Sequence, residues 1–239
     1  MKIKTYKSSE INSCREASKI SATILDELNN LICVGLTTSE IDNYCLDRIK
    51  KLGGSPAPLF YRGFPKSTCT SLNRVICHGI PSENRKLEEG DILNVDVTTI
   101  IDGWHGDSSR MFKVGNISIK AQNLCKTTHS CLLESLNVIK VGNPISNIGK
   151  KIEEIAHMNN FSVVRDFCGH GVGLKFHENP SILHYYDKDY ELLHHPGSGL
   201  HHRADLGGVV LADSPVEGGD ASDFLKRQGC VIGGDPFSK

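Results

Sequence analysis

The chain has 239 residues, of which 38% are hydrophobic and 23% are charged, and its formal net charge is −1. This is ordinary globular composition, and it excludes the intrinsically disordered and membrane classes of protein. So small a net charge creates no field that would recruit nucleic acid or an anionic membrane, and we expect neither as a partner.

The sequence also indicates a reducing compartment. No signal-peptide pattern and no run of 18 apolar residues is found in it, so we expect a cytoplasmic protein without a membrane span. Its nine cysteines include no Cys-x-x-Cys pair and are odd in number. Buried reduced thiols are therefore favoured over a disulfide framework or a zinc ribbon.

The first quarter of the chain predicts two amphipathic helices. Apolar residues at helical spacing predict one over Ser8–Leu31, and Thr37–Glu40 provides capping residues for a second over Ile41–Leu52. The following stretch, 55–73, is interrupted by prolines and a glycine and carries the aromatic residues Tyr61 and Phe64. Such a loop can line an apolar pocket or pack onto the core, and its composition does not decide between them.

Residues 92–112 read ILNVDVTTIIDGWHGDSSRMF and predict a β-hairpin. Apolar and polar residues alternate along its first half, and Asp102-Gly103 is a strong signal for a two-residue turn. With a turn at that point, Ser109 lies opposite Asp96, and Asp107 becomes a diagonal neighbour of Asp96 on the same face. Two carboxylates therefore converge, with His105 beside them.

Two neighbouring carboxylates repel each other unless a shared proton or a cation offsets their charge. A pair of metal ions fits them best. The alternative is that these residues form the hydrated face of an ordinary half-exposed hairpin. The hairpin alone leaves both readings open.

Two further segments carry histidines. A short strand is predicted over 73–77, immediately before His78, where a lone histidine is more often structural than functional. After helices predicted over 119–139 and 145–158, a strand over 162–167 leads into Gly169-His170-Gly171-Val172-Gly173, and His177 follows. A phosphate-binding loop is disfavoured there because the Lys-Ser/Thr of a Walker motif is missing. His170 with the two aspartates makes an N/O ligand set that suits Mn, Fe, Co or Zn.

Three strings of residues, in this order and spacing, resemble the type I methionine aminopeptidases: CHGIP at 77–81, NVDVTTIIDGWHGDSSRMF at 94–112 and GHGVGLKFHENP at 169–180. The resemblance covers about residues 1–197 and implies one catalytic domain. The implied fold is the α+β pita-bread fold of the creatinase and aminopeptidase type, an antiparallel sheet flanked by helices. The implied activity is hydrolysis of the first peptide bond, which removes N-terminal methionine from a peptide or a nascent chain.

The resemblance also implies residue roles. Asp96 and Asp107 would be ligands of a dinuclear centre of two divalent metal ions (Co, Mn, Fe or Zn), with Asp107 bridging, and His170 would be a third protein ligand. His78 and His177 would contact the substrate and stabilise the tetrahedral intermediate. The methionine pocket would be built by Tyr61, Phe64, Cys69 and Phe176. We expect such an enzyme to be a monomer.

After Gly197 the sequence departs from the family pattern. There the family has a strand whose Glu is the fourth metal ligand, and a later strand supplies a second Glu, whereas this chain reads SGLHHRAD over 198–205. One choice among the synonymous codons, AGT GGT TTA CAC CAT CGA GCC GAT, encodes that text, and read one base later it encodes Val-Val-Tyr-Thr-Ile-Glu-Pro, the expected strand. We therefore hypothesise a one-base insertion near the Ser198 codon. Residues 198–239 would then be a non-homologous tail, and the fold would be incomplete at its C-terminus.

Two alternatives to an active aminopeptidase stay open at this point. One is a catalytically impaired frameshifted product that lacks two Glu ligands. The other is a pita-bread binding protein without metal, although such proteins usually lose the carboxylates and histidines that this chain keeps.

Overall fold

A computed structural model describes residues 4–190, 204–205 and 211–212. These residues form two compact units. Arg15–Ala121 make up the first, called here the aspartate unit; residues 4–14 and 122–190, with the two short segments, make up the second, the histidine unit.

The helices are α1 (Ser8–Leu28), α2 (Thr38–Lys51), α3 (Ile119–Asn137) and α4 (Ser146–Met158). The strands are β1 (Ser55–Pro56), β2 (Cys69–Leu72), β3 (Ile92–Ile101), β4 (Trp104–Lys113), β5 (Ser162–Val163), β6 (Gly169–Gly171), β7 (Glu178–Ile182), β8 (Ala204–Asp205) and β9 (Leu211–Ala212). All the strand pairs in the described part of the chain are antiparallel, as predicted.

All four helices were predicted, with small differences at their ends. Helix α1 stops at Leu28, three residues early, because a turn follows in which the Leu31 N–H donates to the Leu28 carbonyl. Helix α2 begins with a capping box. The Glu40 N–H donates to the Thr37 hydroxyl at 3.1 Å, and the Glu40 carboxylate accepts the Thr37 N–H at 2.7 Å. Two of the free N–H groups at this helix end are thereby satisfied.

The sheet of the aspartate unit is built around β3. Strand β4 pairs along one edge of β3, and β1 and β2 pair with the two ends of the other edge. Leu93, Val95 and Val97 of β3 are fully buried and belong to a core that includes Ile24 of α1 and Ile41 of α2. Since side chains alternate along a strand, Asp96 and Thr98 lie on the opposite face of the sheet.

The turn of the β3–β4 hairpin fixes its register. Asp102 has φ 48° and Gly103 has φ 80°, the paired left-handed conformations of a type I′ turn. Helix α1 packs so closely on β4 that a side chain at Gly106 would place its Cβ 2.2 Å from the Ala17 carbonyl carbon. Only glycine therefore fits at position 106 without a steric clash.

The histidine unit contains a small sheet of β6 between β7 and β8, and a separate β5–β9 pair. Helix α4 packs its apolar face, including Ile148 and Ile152, against a second core. A side chain at Gly149 of α4 would place its Cβ 2.1 Å from the Tyr185 carbonyl oxygen. Helix α4 therefore packs directly against the segment that follows β7.

Three sequence predictions need correction. The strand predicted over 73–77 is absent from the described residues; its place is taken by β2 at Cys69–Leu72, which had been assigned to a loop. Residues 69–72 form the strand because they pair with an edge of β3. The chain turns immediately afterwards, where the Val75 N–H donates to the Leu72 carbonyl, so residues 73–77 do not continue the strand. The strand predicted over 162–167 ends at Val163, and Gly169–Gly171 forms a strand despite its glycines.

The predicted tail, 198–239, lies outside the described residues apart from β8 and β9. No strand was expected there, yet β8 pairs with β6, with Asp205 opposite His170, and β9 pairs with β5. Backbone groups at a sheet edge can be satisfied by a segment of almost any sequence, so short pairings of this kind place little demand on the side chains. None of the described helices is long and apolar enough to cross a membrane.

Candidate metal centre

The β3–β4 register places Asp96 and Asp107 on one face of the hairpin. Asp96 lies opposite Ser109, and Thr98 lies opposite Asp107, so the two aspartates are diagonal neighbours as the sequence predicted. Both side chains are half-buried. His105 lies on the same face, two residue pairs nearer the turn than Asp107, and is opposite Ile100.

A hydrogen bond from Thr98, a residue to which the sequence assigned no functional role, fixes the Asp107 carboxylate. The Thr98 hydroxyl donates to Asp107 Oδ1 at 2.7 Å, and Thr98 is only 1% exposed. Partners of this kind orient a carboxylate ligand before a metal arrives. The period-two alternation that located Asp96 also places Thr98 on this face, and that signal would have been sufficient to find it.

Cys69 lies directly opposite Asp96 on β2 and is buried. Burial raises the pKa of its thiol well above the usual value, and the negative charges of Asp96 and Asp107 raise the pKa further. Cys69 therefore stays a neutral thiol at physiological pH. Cys69 therefore lies close to both carboxylates at the end of β2.

The loop before β2 carries the two predicted aromatic residues, Tyr61 and Phe64. Both are half-buried, and a single 3-10 turn joins them, with the Phe64 N–H donating to the Tyr61 carbonyl at 2.9 Å. Asp42 of α2 anchors the end of the loop. Its Oδ1 accepts bonds of 2.8–2.9 Å from the N–H groups of Ser67 and Thr68 and from the Thr68 hydroxyl.

His78 is exposed and has φ 57°, an uncommon conformation for a non-glycine residue. The next residue holds the backbone in place. The Gly79 carbonyl accepts the Thr70 N–H at 2.8 Å, and a Cβ at Gly79 would lie 2.2 Å from the Thr70 carbonyl oxygen. His78 therefore sits on a closely packed segment beside β2 of the aspartate unit.

In the histidine unit, His170, Phe176 and His177 form a ring cluster. The His177 ring stacks on Phe176 at 4.4 Å between centroids with 21° between planes, and it lies 4.4 Å from the His170 ring. His170 is half-buried on β6, and His177 is exposed. The sequence predicted a role for each of these three residues, and the structure brings them together.

The hydrogen bond of His170 determines its tautomer. Its Nδ1 lies 3.0 Å from the Gly171 carbonyl oxygen. A carbonyl only accepts, so Nδ1 is the donor in this bond and Nε2 is the ring nitrogen left to face a metal. A neutral imidazole with its other nitrogen bound to a backbone carbonyl is the usual form of a histidine metal ligand.

These donors fit a divalent metal of the Mn, Fe, Co or Zn kind. The carboxylates of the aspartate unit and the Nε2 of His170 are the oxygen and nitrogen ligands that such ions prefer. In the ranges 4–190, 204–205 and 211–212, no group of three or more His, Cys, Asp or Glu side chains is arranged to hold a metal by itself. What the described residues provide is a pair of carboxylates, of which Asp107 is oriented by Thr98, and, separately, an oriented imidazole.

Comparisons with known proteins agree with these features. The model of metallopeptidase family M24 matches residues 12–202. The methionine aminopeptidase of Buchnera aphidicola from Schizaphis graminum is 46% identical over 185 residues, which are 77% of this chain and 71% of the relative.

Solved structures show the same fold. The structure of methionine aminopeptidase from Rickettsia prowazekii superposes with a TM-score of 0.80 at 37% identity, over 88% of this chain and 90% of that one. An X-Pro aminopeptidase from Thermotoga maritima superposes with a TM-score of 0.66 at 20% identity, over 81% of this chain and 53% of that one, and shares the fold alone. The predicted α+β pita-bread architecture is therefore confirmed, and this chain belongs to metallopeptidase family M24, among the methionine aminopeptidases.

Proposed function

We propose that this protein is a metal-dependent hydrolase that removes N-terminal methionine from peptides and nascent chains. The observation that carries the proposal is the pair of carboxylates on one face of the hairpin, Asp96 and Asp107, of which Asp107 is oriented by a hydrogen bond from Thr98. Family M24 membership implies a divalent metal, and the pair supplies the ligand type that a hydrolytic centre needs.

The metal ligands in this proposal are Asp96, Asp107 and His170, and the centre holds two divalent ions. When bound, such ions supply Lewis-acid polarisation of the scissile carbonyl and a water acidic enough to attack near neutral pH. The protein contributes orientation. Thr98 holds one oxygen of Asp107, and the Gly171 carbonyl keeps the proton of His170 on Nδ1.

His78 and His177 bind the substrate in this proposal. Both are exposed; His78 precedes Gly79, whose backbone is packed against Thr70, and His177 immediately precedes strand β7. An imidazole N–H aimed at the carbonyl oxygen of the first peptide bond forms a hydrogen bond that strengthens as negative charge develops there. Stacking on Phe176 restricts the orientation of the His177 ring.

Tyr61, Phe64, Cys69 and Phe176 recognise the methionine side chain. The aromatic rings offer apolar surface to a thioether, and sulfur and aromatic groups make favourable contacts. Cys69 is suited to such a pocket because burial raises the pKa of its thiol well above the usual value and so favours the neutral form. An ionised cysteine would place a charge beside an apolar substrate.

Methionine release from a Met-Gly-Met peptide, with Mn or Co added to the purified chain, tests the proposal. Asp96→Asn should abolish turnover, because it removes a charged ligand. Asp102→Asn is the matched control, since Asp102 is exposed in the turn of the same hairpin, where asparagine is equally suited to the positive φ. Equal turnover by the wild type and Asp96→Asn would overturn the assignment of the ligands.

The finer properties are also proposals. We propose two ions rather than one, a monomeric state and a cytoplasmic location, in keeping with the expectations from the sequence. The number of metal ions per chain after dialysis, measured by mass spectrometry, checks whether the centre holds two ions. Light scattering during size-exclusion chromatography checks the monomeric state.

A further inference from the structure

The loop between β6 and β7 carries Phe176 and His177. It is closed on itself, because the Gly173 N–H donates to the Lys175 carbonyl at 3.2 Å and the Lys175 N–H donates to Glu178 Oε1 at 3.1 Å. Since His177 is stacked on Phe176 within this loop, the shape of the loop decides where the imidazole lies.

One tyrosine from the start of the chain holds both ends of this loop. Tyr6 is only 5% exposed. Its hydroxyl donates to the Glu178 carboxylate, at 2.8 Å from Oε1 and 3.0 Å from Oε2, and it accepts the Leu174 N–H at 3.5 Å. A single oxygen atom therefore ties the first half of the loop to the residue that follows His177.

The contact between Tyr6 and Glu178 requires a residue without a side chain at position 173. A Cβ at that position would lie 2.7 Å from the Tyr6 hydroxyl and 3.0 Å from each carboxylate oxygen of Glu178. The space beside Gly173 is thus filled by the Tyr6–Glu178 pair. The third glycine of the Gly-His-Gly-Val-Gly string makes room for this contact rather than for a ligand.

We propose that Tyr6 is a positioning residue for His177, acting through Glu178 and Leu174. The inference rests on the proposed function, in which His177 binds the substrate. Without the hydroxyl, the Glu178 carboxylate loses a buried neutral donor and the loop loses the bond that joins its two halves. The His177 ring then samples orientations in which it cannot reach a developing oxyanion.

The test compares Tyr6→Phe with Tyr44→Phe in the full-length, Mn-loaded chain. Tyr44 is the matched control because its hydroxyl also donates to a carboxylate, Glu27 Oε2 at 3.0 Å, in the aspartate unit. We expect Tyr6→Phe to lower kcat for methionine release about tenfold with little change in KM, the size of effect of one lost bond to a charged group. Tyr44→Phe should leave kcat unchanged.

A double-variant cycle separates positioning from general destabilisation. In a His177→Ala background, Tyr6→Phe should cause no further loss of kcat, since the residue it positions is gone. A full tenfold loss in that background would overturn the inference. Glu178→Gln is the second variant if Tyr6→Phe folds poorly. It removes the charge that strengthens the bond from Tyr6, so it should lower kcat relative to the wild type, and an unchanged kcat would overturn the inference.

Hydrogen exchange supplies a readout that does not depend on turnover. The amides of residues 173–178 should exchange at least about tenfold faster in Tyr6→Phe than in the wild type or Tyr44→Phe, because local opening costs less. Unchanged exchange there would overturn the inference. If the wild type releases no methionine, the proposed function fails by itself, and the exchange experiment still decides whether Tyr6 holds the loop.

Discussion

The Thr98 hydroxyl and the Asp107 carboxylate face each other across the β3–β4 hairpin, joined by a hydrogen bond of 2.7 Å. The bond uses one oxygen of a carboxylate that the proposed function assigns to the metals, and its donor is almost fully buried. Orientation of Asp107 is therefore built into the sheet.

Replacing Thr98 by valine should weaken metal binding by about 10- to 100-fold, because a bond that orients a ligand is lost while shape is kept. Calorimetric titration of the metal-free chain with Mn²⁺ measures this. Thr70→Val is the control: among the described residues, no hydrogen-bond partner is found for the buried Thr70 Oγ1. Thr70 is opposite Val95, not Asp96, and its substitution should leave the affinity unchanged. Equal affinities for wild type and Thr98→Val would contradict the role given to this bond.

Asp42 should prove important for stability. Asp42→Ala removes an acceptor shared by three donors and leaves the buried N–H groups of Ser67 and Thr68 unsatisfied. We expect a loss of about 3 kcal/mol in the free energy of unfolding, measured by urea denaturation. Asp47→Ala, on the exposed side of the same helix, should cost less than about 0.5 kcal/mol. A similar cost for both variants would refute the anchoring role.

The Glu27–Arg48 pair should contribute to stability in a pH-dependent way. Hydrogen bonds from Arg48 hold the pKa of Glu27 below its ordinary value of 4.5. A carboxyl whose folded pKa is depressed stabilises the fold above its unfolded pKa, and that contribution is lost as the pH falls through the folded pKa. The difference in unfolding free energy between wild type and Glu27→Gln should therefore be largest near pH 7 and shrink below about pH 4.5.

Denaturation of metal-free protein at several pH values measures that difference. Glu16→Gln is the control because Glu16 pairs with Lys19 at the exposed surface and should contribute little at any pH. A Glu27→Gln difference that stays constant from pH 7 to pH 3 would disagree with the assigned cause.

Thiol labelling should separate the cysteines by burial. Cys33 and Cys168 are exposed, whereas Cys45 is buried and its thiol has a pKa raised to about 12, chiefly by burial. At pH 8 the thiolate fraction of Cys45 is lower than that of an ordinary cysteine by about a thousandfold. Cys230 lies outside the described residues, so a Cys230→Ser chain is the suitable starting point.

In that chain, Cys33 and Cys168 should react with a thiol reagent within minutes, and Cys45 should react only after urea is added. Peptide mass spectrometry identifies the labelled residues. Rapid labelling of Cys45 in the folded chain would contradict its placement in the core.

The frameshift hypothesis makes a prediction at the level of the gene. With the codons given above, deleting one base in the Ser198 codon restores Val-Val-Tyr-Thr-Ile-Glu-Pro and a carboxylate ligand. We expect this change to raise the rate of methionine release by at least about a hundredfold, because loss of one stabilising group at a catalytic centre lowers kcat by about that factor. The control is the same deletion in a gene recoded with other synonyms, which does not encode the strand. Equal activity of the original and restored chains would dispose of the hypothesis.

The sequence by itself determined the local features. Period-two alternation and an Asp-Gly turn were sufficient for the register of Asp96 and Asp107, because a two-residue turn leaves a hairpin only one pairing. Helical spacing and caps located α1 to α4. The three strings of residues were sufficient for the family.

Only the tertiary structure decided contacts between distant parts of the chain. Strand β2 exists because β3 has an edge to pair with, which no local pattern in Cys69–Leu72 reveals. Asp42 reaches a loop 25 residues away, and Tyr6 reaches Glu178 across 172 residues. Such pairs depend on where the folded backbone brings two side chains together, and neither composition nor periodicity carries that information.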